Sequence, residues 1–331
     1  PHLVLHSFPT RRSSDLLQCL SFLLTEVFKM NSDKIDRKNS IGVAFSGGGL
    51  QGIAHIGAVQ ALYELGIHPQ YVSGTSSGAA MAAIVAMGCD SDEMKRVAKK
   101  HWKTLAEIDN GLIFKSLAQL ILNKKIQKDD IKSGELIEDV IRDIMNEKGI
   151  TGFENLPINL SICTVDTLTT DECIFTTKEE NLENEHIHYI TGAPLETAVR
   201  ASMSFPAIYT TCPYDKYNFI DGGSKDNLPV KILRDMGVGK VLAIGFDIMT
   251  YNPDAGLGGL IKVIWRALDV YSIDGTRESK KMADLAIDIK NENTQLFSMD
   301  SVDETIQEGY DAIMAHKDEI LKVFGEQNCA E

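Results

Sequence analysis

Short, mostly apolar runs alternate along this chain with longer stretches whose apolar residues recur every three or four positions, the pattern of buried strands separated by helices. The first run, residues 41–45, ends in Ser46-Gly47-Gly48-Gly49, and residues 52–65 then carry apolar side chains at helical spacing. A second run at 71–73 leads into Gly74-Thr75-Ser76-Ser77-Gly78 and an Ala- and Met-rich stretch to Met87. That stretch is apolar on every side, which predicts a helix buried all round. Residues 160–165 and 173–177 read as strands about a turn at 169–171, and 241–246 as a strongly apolar strand. Residues 195–201 and 230–236 are helical in period. The alternation predicts an α/β fold, a three-layer α/β/α sandwich around a mostly parallel central sheet.

Two stretches depart from this alternation. Residues 90–150 are charged and helical in period, with basic clusters at Lys95, Arg96, Lys99 and Lys100 and at Lys124, Lys125 and Lys128. They read as a helical insertion whose clusters are solvated faces, with phosphate-headgroup binding as the functional alternative. Residues 261–271 (IKVIWRALDVY) are the most apolar late segment, expected to pack as a helix on the core, with Trp265 the side chain that would touch a bilayer surface. No internal repeat or low-complexity linker divides the chain. One domain is expected: a flexible start at 30–40, a main body at 41–250 that carries the insertion, and a helical C-terminal part at 251–331.

The first residues are set aside. His6 to Leu16 reads HSFPTRRSSDL, which resembles the conceptual translation of a short-read sequencing adapter, and the first methionine is Met30. Residues 1–29 are therefore expected to be a non-native segment. The competing reading, an export signal built on Arg11-Arg12 and the apolar stretch 16–28, is weakened by Gln18 and Glu26 and by the lack of a small-residue cleavage site.

Composition narrows the class. Across 331 residues, 44% are hydrophobic and 24% charged, an ordinary globular balance. The net charge of -14 repels phosphate backbones and excludes a basic nucleic-acid footprint, and it makes apolar contact the expected route to any transient engagement of a membrane surface. Six cysteines without a CxxC pair suggest buried free thiols rather than a disulfide scaffold or a zinc site. With no H-E-x-x-H or EF-hand pattern, no metal or other cofactor is expected. No segment reads as membrane-spanning, so the expected location is cytoplasmic.

Three motifs carry chemistry. Gly74 to Gly78 is G-x-S-x-G at a strand-to-helix turn, a geometry that exposes Ser76 on a strained elbow at a helix N-terminus, where backbone N–H groups and the helix dipole favour developing negative charge. Gly47-Gly48-Gly49-Leu50-Gln51-Gly52 follows the first strand and opens the first helix, so its N–H groups can crowd toward one point and form an oxyanion hole. The same glycines fit a dinucleotide fingerprint, but the acidic residue which that reading expects about 20 positions on is replaced by Ser73-Gly74-Thr75-Ser76. Asp221-Gly222-Gly223, after the apolar-aromatic run 217–220 and before Asn227-Leu228-Pro229, places a carboxylate on a turn able to approach another loop closely.

These motifs, in this order, resemble the patatin-like phospholipase family. The likeness includes Arg200-Ala201-Ser202 through Pro206, which is similar to the family's A-S-x-x-x-P segment, and it covers residues 41–248. It implies a patatin-like fold and a lipid acyl hydrolase, phospholipase A, lysophospholipase or carboxylesterase in type, acting on a lipid or ester substrate. The implied mechanism is a serine-aspartate dyad: Ser76 attacks the ester carbonyl, Asp221 is the general base, Gly47, Gly48 and Gly49 donate to the oxyanion, and Gly52, Gly74, Gly78, Gly222 and Gly223 support the motifs. Many members carry Arg or Lys before the last glycine of the oxyanion loop where this chain has Gln51. The 90–150 insertion becomes the expected lid or acyl-pocket wall.

Two rivals stay open at the level of sequence. Ser76, Asp221 and His316 fall in the chain order of an α/β-hydrolase triad, although His316 lies in a charged helical stretch. A catalytically degenerate scaffold is the non-enzymatic reading. His55, one turn into the first helix, is expected to be structural.

Overall fold

The computed structural model describes residues 37–106, 134–177, 185–206, 208–247, 260–290 and 302–325. The expectations for residues 1–36, for Lys124, Lys125 and Lys128, and for the side chain of Trp265 lie outside the described residues.

Strand β1 (Ile41–Phe45) is an inner strand of a sheet, buried along its whole length. It pairs in parallel with β2 (Tyr71–Thr75) on one side and β8 (Lys240–Phe246) on the other. Both neighbours are buried almost throughout; β8 is a near-continuous apolar run, as a strand covered on both faces tends to be, while β2 buries Ser73 and Thr75 as well. Beyond β2 lies β3 (Asn159–Asp166), parallel to it, then β4 (Glu172–Thr176), antiparallel, and β5 (Ile187–Ile190), parallel to β4. On the far side β9 (Leu285–Ile289) runs parallel to β8. A hairpin of β6 (Cys212–Tyr214) and β7 (Tyr217–Asp221) joins the sheet through β7, which pairs antiparallel with β3. The sheet is thus mostly parallel, as the alternation predicts. The C-terminal part expected to be helical also holds β9, whose five residues (LAIDI) are too short to show a strand period beside the helix before them.

Helices flank the sheet. Helix α1 (Ala54–Glu64) follows a 3₁₀ turn at Gly49–Ile53, and α2 (Ser77–Ala86) springs directly from β2. Helix α3 (Ser91–Ala106) returns from α2 after a four-residue link, and α4 (Glu135–Lys148), α5 (Leu195–Ser202) and α6 (Val230–Asp235) follow in chain order. The C-terminal helices are α7 (Leu260–Met282), α8 (Val302–Ala315) and α9 (Lys317–Phe324). Helices α3 and α4 occupy the two described ends of 90–150, and the basic residues Arg96, Lys99 and Lys100 spend their charge on surface pairs with Glu147, Asp303 and Asp143.

One packing detail is demanding. Helices α1 and α8 meet backbone to backbone: a Cβ on Gly57 would press on the Ile306 carbonyl and sit 2.7 Å from the Tyr310 nitrogen, and one on Gly309 would meet the Ala54 carbonyl. Backbone neither rotates away nor shrinks. Gly57→Ala is therefore expected to lower stability by about 2 kcal/mol despite the better helix propensity of alanine. Thermal unfolding checks this, and an unchanged melting temperature contradicts it.

Candidate active site

Strand β3 explains how two distant parts of the chain come together. One of its edges carries two strands in succession: β2 as far as Thr75, opposite Cys163, and then β7 beginning with Asp221, opposite Thr164. Where β2 stops, Ser76 turns out of the sheet, and the end of β7 delivers Asp221 to the same place. Ser76 (7% exposed) and Asp221 (4% exposed) are both buried at this junction.

The elbow is strained in the way its sequence requires. Ser76 sits at φ 55°, ψ -124°, a conformation non-glycine residues adopt only when the surroundings impose it. The two motif glycines make room for one another: a Cβ on Gly74 would strike the backbone of Gly78, and one on Gly78 would lie 2.6 Å from the Ser46 carbonyl oxygen. The Ser76 N–H donates to Ser202 Oγ at 2.9 Å, and that hydroxyl donates onward to the Cys163 carbonyl at 2.7 Å. The Ser76 carbonyl accepts from Ala79 and Ala80, so Ser76 caps α2 and the first N–H groups of the helix point past it.

Asp221 is held by its neighbours and left one free oxygen. Its N–H donates to the Ser204 carbonyl at 3.1 Å, and Oδ1 accepts from the Gly223 N–H at 2.8 Å. Among the described residues Oδ2 is buried with no hydrogen-bond partner of good geometry. Burial pushes the carboxyl up to about 6, opposed by the nearby Ser76 hydroxyl and by Gly223. The Ser76 hydroxyl thus lies close enough to favour the charged form without a hydrogen bond of good geometry to Oδ2. Gly222 permits the turn, since its Cβ would collide with the Cys163 carbonyl.

The loop after Asp221 is buttoned to the strand ends. Thr75 Oγ1 donates to the Asp226 carbonyl, Ser73 Oγ to the Pro229 carbonyl, and Gly47 N–H to the Asn227 carbonyl at 3.1 Å, with Asn227 Nδ2 returning a longer bond to Gly47. The glycine loop therefore does not offer three equal donors. Gly47 N–H is committed to Asn227, and Gly48 N–H donates to Ser77 Oγ at 3.1 Å. Gly49 turns at φ 57°, and among the described residues its N–H makes no hydrogen bond. Gly48 is also pressed against Phe246, whose ring would lie 2.5 Å from an added Cβ, and Gly52 against Ser77.

The histidines are elsewhere. His55 is fully buried between the rings of Phe45 and Phe246, and because Nε2 faces the Ser46 carbonyl at 3.1 Å it must carry the proton. Burial lowers its pKa to about 4, the Ser46 carbonyl opposing, so the ring is a neutral brace beneath the glycine loop. His316 lies in the turn between α8 and α9, where Nδ1–H donates to the Ala312 carbonyl. Chain order suggested a triad, but His316 is not brought to Ser76 or Asp221.

Ser76 opens onto an apolar cavity of about 170 Å³. Its walls are Ile53 and Ile56 before and on α1, Ala80, Met81 and Ile84 on α2, Met94, Val97, Ala98 and His101 on α3, and Met203, Phe205, Ile208 and Tyr209 after α5, with Gly49, Leu50, Gly52 and Ser77 around the mouth. Burial, and secondarily Lys100, holds His101 below the usual imidazole range. The anchoring role of Ser202 and Ser204 and the lining role of Met203 and Phe205 are not readable from motif spacing. The A-S-x-x-x-P likeness marks the segment without saying what it does. Among the described residues no group of three or more His, Cys, Asp or Glu side chains could hold a metal ion, and no helix is long and apolar enough to cross a membrane.

Residues 43–234 match the family model for patatin-like phospholipases. Among curated relatives, a protein of the NTE family from Mycobacterium tuberculosis is 25% identical over 225 residues, covering 68% of this chain and 33% of that protein. A lysophospholipase of Emericella nidulans is 24% identical over 245 residues, 73% of this chain and 14% of that protein. The chain thus spans a third or less of the length of these relatives. Among solved structures, VipD from Legionella pneumophila superposes with a TM-score of 0.46 at 16% identity, covering 85% of this chain and 67% of that one.

Proposed function

The chain belongs to the patatin-like phospholipase family, and from that premise we propose that it hydrolyses acyl esters of lipids through a Ser76–Asp221 dyad. One observation carries the reading: a strained, buried serine shares a junction with a carboxylate whose free oxygen has no other partner, and the same serine opens onto an apolar cavity. The lysophospholipase among the relatives supports a lipid substrate.

In the first step Asp221 Oδ2 takes the proton of Ser76 Oγ as that oxygen bonds to the ester carbonyl carbon. The negative charge moves to the carbonyl oxygen. The N–H of Gly49 and the first-turn N–H of Ser77 are the donors best placed to meet it, joined by Gly48 once its N–H exchanges the Ser77 hydroxyl for the oxyanion. Gly47, whose N–H is committed to Asn227, fixes the loop instead. The tetrahedral intermediate expels the alcohol, which leaves with the proton held on Asp221, and the acyl group stays on Ser76. Water then attacks the acyl-enzyme, giving its proton to Asp221 and afterwards to Ser76 Oγ as the fatty acid departs. The acyl chain lies along α2 in the cavity, with α3 as its outer wall.

The test is hydrolysis of p-nitrophenyl esters from acetyl to palmitoyl, with a fluorophosphonate label mapped by peptide mass. Activity that favours longer chains, with the label on Ser76, is the expected result. His316→Gln is expected to retain full activity, and loss of activity in that variant would return the triad to contention. A protein that neither hydrolyses nor labels is a scaffold.

A further inference from the structure

Both halves of the dyad hang from one three-residue piece of chain. Ser202 Oγ accepts the Ser76 N–H and ties it to the Cys163 carbonyl, and the Ser204 carbonyl accepts the Asp221 N–H. Ser202 and Ser204 are buried, and the piece is a closed turn, with Ser204 N–H on the Ala201 carbonyl, Ser204 Oγ on the Arg200 carbonyl and Phe205 N–H on the Met203 carbonyl. The residues that alternate with the anchors, Met203 and Phe205, line the apolar cavity. The Ser202 hydroxyl also fills a gap in the sheet: it meets the Cys163 carbonyl at the point on β3 where β2 ends and β7 begins.

Resting on the hydrolase reading above, we propose that residues 202–204 are the positioning element of the dyad, and that the acyl chain tightens it through Met203. The strained Ser76 backbone persists only while its surroundings over-determine it, and its N–H is held by the Ser202 hydroxyl. A displacement of residues 202–204 moves the anchors of nucleophile and base together. Met203 borders the cavity, and methylenes of a bound chain add dispersion contacts to its side chain. Binding energy from the non-reacting tail is thereby turned into orientation at the reacting centre, so chain length acts on the chemical step as well as on binding.

The experiment measures inactivation of the full chain by ethyl and dodecyl fluorophosphonates, resolving the maximal rate kinact from the affinity KI. In the wild type, kinact is expected to be about tenfold higher for the dodecyl reagent. Ser202→Ala is expected to lower kinact about 10²-fold for both reagents with KI changed by less than roughly twofold. Met203→Ala is expected to bring the dodecyl-to-ethyl ratio of kinact down to about one. If Ser202→Ala does not fold, as a melting curve will tell, the Met203→Ala ratio decides. A Met203→Ala protein with the wild-type ratio, a folded Ser202→Ala protein with wild-type kinact, or a wild type indifferent to chain length in kinact each overturns the proposal while the hydrolase reading stands. A wild type that never labels overturns both.

Discussion

Replacing Ser76 with alanine is expected to abolish ester hydrolysis, lowering kcat by on the order of 10⁴- to 10⁶-fold, and to remove fluorophosphonate labelling altogether. The size of the loss follows from the role proposed for Ser76 Oγ, the atom that would bond to substrate. The oxyanion donors and the cavity are left in place, so some acceleration over water persists, and KM is expected to stay near its wild-type value. Among the described residues the neighbouring hydroxyls are otherwise engaged: Ser77 Oγ accepts from Gly48, and Ser202 Oγ is bonded to Ser76 and Cys163. Steady-state kinetics on the longest soluble ester checks this, and residual activity within tenfold of wild type would assign the nucleophile elsewhere.

Asp221→Asn is expected to lower kcat by on the order of 10³- to 10⁴-fold, since an amide at this site accepts no proton. It is also expected to make the protein more stable. The folded carboxyl is pushed up to about 6 by burial, from an ordinary value of 3.8. Between those values the folded state binds more protons than the unfolded chain, so stability falls as pH rises through this window and stays at the lower level above about 6. The difference of roughly two units corresponds to about 3 kcal/mol at most, which the neutral amide recovers at pH 7 to 8. In the wild type the same titration governs catalysis with the opposite preference: the base works only when ionised, so kcat/KM is expected to climb through pH 6 to a plateau. A melting temperature at pH 7.5 that is no higher in Asp221→Asn, or a wild-type activity profile flat from pH 5 to 8, contradicts this account.

Much of this arrangement is legible in the sequence because backbone geometry constrains residue identity at a few positions. Gly74, Gly78 and Gly222 sit where a Cβ would strike main chain, so a reader who knows the elbow can place the nucleophile from the glycines alone. Strands β1 and β8 announce themselves as apolar runs because both of their faces are covered, and β2 and β3 carry shorter apolar cores interrupted by buried Ser and Thr. The short edge strands β5 and β9 are half-exposed and carry polar residues, which leaves no distinctive period. The donors of the glycine loop are equivalent in sequence and become unequal only through tertiary partners: Asn227 and Ser77 occupy the first two. Ser202 is invisible for a related reason. Its work is done by one hydroxyl reaching two strands that lie far away in the chain, and a serine at the end of a helix reads locally as a terminus.

The edge of β3 has a further consequence for how such a protein can diversify. Ser76 and Asp221 are both referenced to adjacent residues of a single strand, Cys163 and Thr164. Apart from residues 202–204, which anchor both groups, the segments that leave and return between these fixed points, including the α3 wall of the cavity, can lengthen, shorten or be replaced without changing the distance between the two side chains. Substrate preference and chemistry are thus separately inheritable: the first is written in material that can be exchanged, the second in the register of three strands.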